Sequence, residues 1–160
     1  MPTIERIEWS DALCTGVDEI DRQHRILVQV LGEAEALLAE ERHGRRFEQI
    51  FRDLLAYAIY HFETEEELMR RHGYDRAGQA AADAHLAQHR GFSERVVALR
   101  AEARHNDRAS REALVAFLRD WLVNHITTTD RILGRFILGA APAQADASAP
   151  AAPACDAAGH

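Results

Sequence analysis

Apolar positions recur along this chain in steps of three, four and seven, the repeat of one helix face turned inward. Four long segments carry the pattern. The first spans about 18–42, with Ile20, His24, Leu27, Leu31 and Leu38 on its stripe. The second spans about 45–71, with Phe47, Ile50, Leu54, Tyr57, His61, Glu65 and Leu68. The third spans about 79–104, with Ala82, His85, His89, Phe92, Val96 and Leu99. The fourth starts near Ser110, which reads as its N-cap, and carries Leu114, Phe117, Trp121, His125, Thr128 and Ile132. Gly44 and Gly73, each ending an "RHG", read as stops. Segments of ~25 residues at 1.5 Å per residue reach ~35–40 Å. Short connections make neighbours antiparallel, so the pattern predicts an all-α, up-down-up-down four-helix bundle behind an N-terminal arm that ends near Val17. Helices pairing between two chains would satisfy the same stripes. The bundle should occupy residues 1–138. The stretch 139–160, "GAAPAQADASAPAAPACDAAGH", has no large apolar side chain to offset its ordering entropy and reads as a disordered tail.

The stripes contain an anomaly. "HFETEEELMRRHG" puts His61 and Glu65 four residues apart, between Leu54 and Leu68. His24, His85, His89 and His125 interrupt the other three stripes in the same way. A buried carboxylate or imidazole costs several kcal/mol unless it is compensated. Any one of these histidines alone fits a hydrogen-bonded core residue. Five on four facing stripes imply a single polar centre, and in bundle cores such a centre is a metal or cofactor site. The remaining histidines do not share the pattern: His43 and His72 flank glycines at helix ends, His105 lies in a connection and His160 in the tail.

Composition narrows the chemistry. The 160 residues are 47% hydrophobic and carry a formal charge of −7, and all 19 basic residues are arginine. An acidic chain without a basic stripe argues against nucleic acid or an anionic membrane as partner. There is no run of ~18 apolar residues to span a membrane and no signal peptide at the N-terminus. Cys14 and Cys155 are the only cysteines. They form no CxxC and no disulfide framework, so a reducing, cytoplasmic location is expected. Imidazoles without thiolate suit zinc, iron, copper or nickel. One zinc needs only four ligands, so five histidines with carboxylates fit two ions better than one.

The motifs "GVDEIDRQHRIL", "HFETEEELM", "HLAQH" and "WLVNHITTTDRIL", in this order, resemble the hemerythrin family in its bacterial single-domain form. The resemblance covers Ile4 to Phe136. "HRILVQVL" lacks the family's common Phe after Leu, and Asp75 stands where Pro is usual; neither touches a ligand position. The resemblance implies two iron ions with an oxo or hydroxo bridge. His85, His89 and His125 would hold one iron, His24 and His61 the other, with Glu65 and Asp130 spanning both. The second iron would keep an open position for O2. Asp130 rests mainly on the resemblance, because five residues from His125 is ~140° around an ideal helix. Either the two ions take ligands from both flanks, or the helix bulges locally.

Few carboxylates leave such a core weakly charged, which favours reversible O2 binding over oxidation of a substrate. Leu27, Phe62, Leu122 and Ile126 should line the O2 pocket, with Trp121 nearby. No nucleophile–base pair or phosphate loop suggests an enzyme. The expected function is therefore O2 carriage, storage or delivery, with O2 as partner and no delivery partner identified. The alternatives are an O2 or redox sensor, or a di-iron protein that handles iron or reacts with peroxide or nitric oxide.

Overall fold

The computed structural model describes residues 6–38, 40, 44–102 and 107–139. Four long helices form an antiparallel bundle: α1 (Asp18–Leu38), α2 (Gly44–His72), α4 (Gln79–Glu102) and α5 (Arg108–Asn124). α1 packs between α2 and α5, and α4 closes the ring against the same two. A short helix α3 (Tyr74–Ala77) joins α2 to α4. After α5 the chain makes a π-helical turn, His125–Asp130, and ends in α6 (Arg131–Ile137).

Helix ends follow local chemistry. Gly73 terminates α2 with φ 71°, a conformation that costs glycine little. Gly44 does not act as a stop; it opens α2. α5 begins two residues before Ser110. Asp107 is its N-cap and accepts a hydrogen bond from Ser110 N at 2.8 Å, aspartate capping as well as serine does. The α3 turn was not legible in the periodicity, being a single turn.

An arm precedes α1 and lies along the bundle. The Ile7 amide donates to the buried Glu35 carboxylate at 2.7 Å, and Arg119 of α5 donates to its other oxygen at 3.1 Å. Asp21, also buried, accepts from Thr15 N and Thr15 Oγ1, both at 2.8 Å, and from Gly16 N at 3.0 Å. Arg131 donates to the carbonyls of Cys14 and Ala12. α6 meets the arm so closely that a Cβ on Gly134 would stand 2.8 Å from the Thr15 carbonyl oxygen. Cys14 is fully buried; Cys155 lies outside the described residues. So do 140–160 of the expected tail, His43, His105 and His160. No helix among the described residues is long and apolar enough to cross a membrane.

The core has two apolar parts. One holds Leu27, Leu31, Leu54, Ala58, Phe62, Phe92, Val96, Leu118 and Leu122, among others. The other holds Ile20, Leu68, Met69, Tyr74, Ala82 and Leu133. On each helix the polar stripe residues fall between the two sets. His24 lies between Ile20 and Leu27, Glu65 between Phe62 and Leu68, His85 and His89 between Ala82 and Phe92, and His125 and Asp130 between Leu122 and Leu133.

Candidate metal centre

The five stripe histidines, Glu65 and Asp130 meet in that middle layer, and none exceeds 4% exposure. Antiparallel packing brings the four mid-helix positions to one level. The π turn adds Asp130 to them. A π turn takes five residues where an α turn takes four, so Asp130 comes under His125 on the inner face. The same extra residue moves the stripe beyond it. Thr128 and Ile132, expected inside, are exposed, and Leu133 is buried in their place.

The layer divides into two halves. His24 Nε2 and His61 Nε2 lie 3.0 Å apart. Across from them are His85, His89 and His125. Glu65 turns Oε1 to His61 at 3.2 Å and Oε2 to His85 at 3.2 Å and His89 at 3.1 Å. Asp130 turns Oδ2 to His24 at 2.9 Å and Oδ1 to His85 at 3.1 Å and His125 at 2.9 Å. Each carboxylate therefore gives one oxygen to each half. Two four-residue groups have ligand atoms within 4.8 Å of one another: Glu65 with His85, His89 and His125, and His24 with His61, Glu65 and Asp130.

Residues that sequence spacing did not single out aim the rings. His61 Nδ1–H donates to Gln23 Oε1 at 2.7 Å, and the Gln23 amide nitrogen is fixed by donating to Thr64 Oγ1 at 3.0 Å. His125 Nδ1–H donates to Gln88 Oε1 at 2.7 Å, and His89 Nδ1–H to Glu66 Oε1 at 3.1 Å. Each acceptor is the chain neighbour of a stripe residue, ~100° round its helix, and so reaches a histidine on the next element. A donated Nδ1–H leaves Nε2 with a lone pair pointing inward.

These lone pairs test whether a cation fits. Glu65 Oε1, His125 Nε2 and both Asp130 oxygens are buried without a hydrogen bond, although they lie close to one another. Such atoms are costly when unmet. Two facing Nε2 atoms at 3.0 Å repel unless a proton or a metal sits between them. The donor set is five imidazole nitrogens and two carboxylates, and it suits divalent first-row metals. The residues present therefore fit a metal pair.

Without metal the cluster stores protons. Burial opposes a charge on His85, but the Asp130 and Glu65 carboxylates facing its Nε2 outweigh it and raise the pKa to about 9. Burial likewise opposes charge on His61, and neighbouring Glu65 outweighs it and pulls its pKa up. His125 goes down, because burial prevails over the Asp130 carboxylate. Burial would raise the carboxyl pKa of Glu65 and Asp130, yet the surrounding imidazoles hold both below the ordinary range.

Aromatic rings cover the layer on one side. Phe62 stacks on His89 at 4.0 Å between centroids, and Trp121 on His125 at 4.3 Å. Beyond them lies an apolar cavity lined by Leu27, Leu31, Leu54, Ala58, Phe62, Phe92, Leu118, Trp121 and Leu122. Its volume of ≈ 20 Å³ is about what one water-sized molecule needs. Leu27 is three residues after His24, Ala58 three before His61, Phe92 three after His89 and Leu122 three before His125. The cavity is thus one turn from four of the five histidines, on the same side of all of them. Of the residues expected around an O2 pocket, Leu27, Phe62 and Leu122 are among the cavity walls. Ile126 is fully buried in the same core but is not among the cavity walls.

A model of the hemerythrin HHE cation binding domain matches residues 15–137. The chain is 32% identical over 123 residues to the bacteriohemerythrin of Stenotrophomonas maltophilia, covering 77% of this chain and 76% of that one. It is 30% identical over 122 residues to the bacteriohemerythrin of Pseudomonas aeruginosa PAO1, covering 76% and 75%. A hemerythrin-like protein of Naegleria gruberi is 24% identical over 122 residues. Motif order, bundle topology and the match of nearly the whole described chain agree, and the chain belongs to the hemerythrin family.

Proposed function

We propose that the protein binds O2 reversibly at two iron ions held by His24, His61, His85, His89, His125, Glu65 and Asp130, and acts as a carrier, store or delivery protein. The observation that carries this reading is the pairing of a two-halved, imidazole-rich cluster with an apolar cavity one turn away. Two iron ions, when bound, supply the electrons on which reversible O2 binding draws. The chain does the rest. Five neutral imidazoles keep the net negative charge low, which disfavours permanent oxidation. Gln23, Gln88 and Glu66 hold the rings in one tautomer. Leu27, Phe62 and Leu122 keep water and protons away from the side on which O2 would arrive.

Protein purified from iron-replete cells should contain two irons per chain. The reduced form should gain a visible charge-transfer band on exposure to O2 and lose it on degassing. Leu122→Ala should hasten decay of that band in air, because truncation opens the cavity wall to water. Leu133→Ala, in the other apolar set, should cost a similar ~2–5 kcal/mol without hastening decay. Direct conversion to an oxidised form, with no reversible band, would overturn the carrier reading and favour a sensor or enzyme.

A further inference from the structure

Three of the five imidazoles donate Nδ1–H to a side chain, and the three acceptors differ in charge. Gln23 behind His61 and Gln88 behind His125 are neutral amides. Glu66 behind His89 is a carboxylate. The Nδ1 atoms of His24 and His85 are buried with no hydrogen bond. A single carboxylate therefore stands behind the histidines, and it stands behind the three-histidine half. Glu66 reaches His89 from a surface groove between α2 and α4 that Glu63, Arg90 and Glu94 also line. Its side chain is 39% exposed, against 4% for His89. The carboxylate thus faces solvent on one side and the His89 ring, at 3.1 Å, on the other.

A carboxylate on the outer nitrogen of a ligating histidine makes the inner nitrogen a stronger donor, and strong donors favour the higher oxidation state of the metal they hold. We propose that Glu66 is a positioning residue that lowers the redox potential of the metal held by His85, His89 and His125, so that the two metals are inequivalent and this one gives up its electron first. The inference rests on the two-iron reading above. It concerns the charge beyond the ligands, which the ligand set alone does not determine.

The test compares midpoint potentials of full-length, iron-loaded variants, with iron counted in each. E66Q keeps an oxygen to accept from His89 Nδ1 and removes the charge. At a fixed applied potential it should lower the oxidised-to-reduced ratio of the first one-electron step about ten-fold, a rise of ~59 mV, with two irons still bound. Glu63→Gln takes a charge from the same groove, one turn earlier on α2, and should change the ratio less than two-fold. Adding Gln88→Glu to E66Q returns a carboxylate to another Nδ1 of the same half, and should bring the potential back. A merely structural role for Glu66 would not be rescued in this way. An unmoved potential in E66Q with two irons bound overturns the inference, as does an equal rise in Glu63→Gln or no return in the double variant. If the parent protein itself fails to hold two irons, the two-iron reading falls first and the role of Glu66 falls with it.

Discussion

His85 shows how much one residue's surroundings set the behaviour of this centre. Its pKa of about 9 in the folded, metal-free protein stands above the ~6.5 of an unfolded histidine. The folded state therefore binds the extra proton more tightly, and that stabilisation is complete below ~6.5 and is lost as pH rises through 9. His61 adds to the trend, its pKa also being raised. His125 is lowered and acts oppositely, losing stability as pH falls below ~6.5. Glu65 and Asp130 are lowered too, and their stabilisation is lost as pH falls below ~4. Metal reverses the demand, since an imidazole must shed its proton to bind. The melting temperature of metal-free protein should therefore fall between pH 6.5 and 9, while the increment added by metal under anaerobic conditions should grow over that range. Parallel curves for the two forms would show that these protons are not displaced by metal.

At the scale of the element, the π turn is the least regular feature and the one that completes the centre. Because the step from His125 to Asp130 is five residues in a turn that an α-helix makes in four, deleting the exposed Thr128 should leave a continuous α-helix with the same face inward. Leu133 should stay buried, and the metal-free protein should stay folded with a small change in melting temperature. Deleting the exposed Asp120 from regular α5 should instead rotate everything beyond it by ~100° and abolish the cooperative transition. Equal damage from both deletions would mean the turn is not an inserted residue.

This turn also marks where the sequence stops being readable. Stripes at 3.6-residue period located all four long helices and six of the seven clustered residues, since a bundle core imposes that period directly. Thr128 and Ile132 were misplaced because the period itself changes after His125, and it was mainly the family resemblance that pointed to Asp130. Gln23, Gln88 and Glu66 escaped notice for another reason. Their partners are 23 to 38 residues away on other elements, and adjacency to a stripe residue says nothing until the packing is known.

Over the whole molecule, the buried Glu35 and Asp21 fasten the arm to the bundle, Arg131 fastens α6 to the arm, and the four long helices pack around one axis. The layer of imidazoles and carboxylates crosses that axis between two apolar sets that it keeps apart. Seen mechanically, the bundle is two short bundles on shared backbones, and the layer between them is a seam. With metal, the seam is a weld, because ligands from α1, α2, α4 and the π turn are tied at one point. Without it, like-charged oxygens and unmet lone pairs face one another there, and among the described residues the two apolar sets stay separate. Amide exchange on metal-free protein should then fall into two groups that open with different free energies: residues around Ile20, Leu68, Ala82 and Leu133, and residues around Leu31, Leu54, Val96 and Leu118. Metal should merge them into one, and two groups that never separate would mean that the shared backbones alone make the molecule a single cooperative unit.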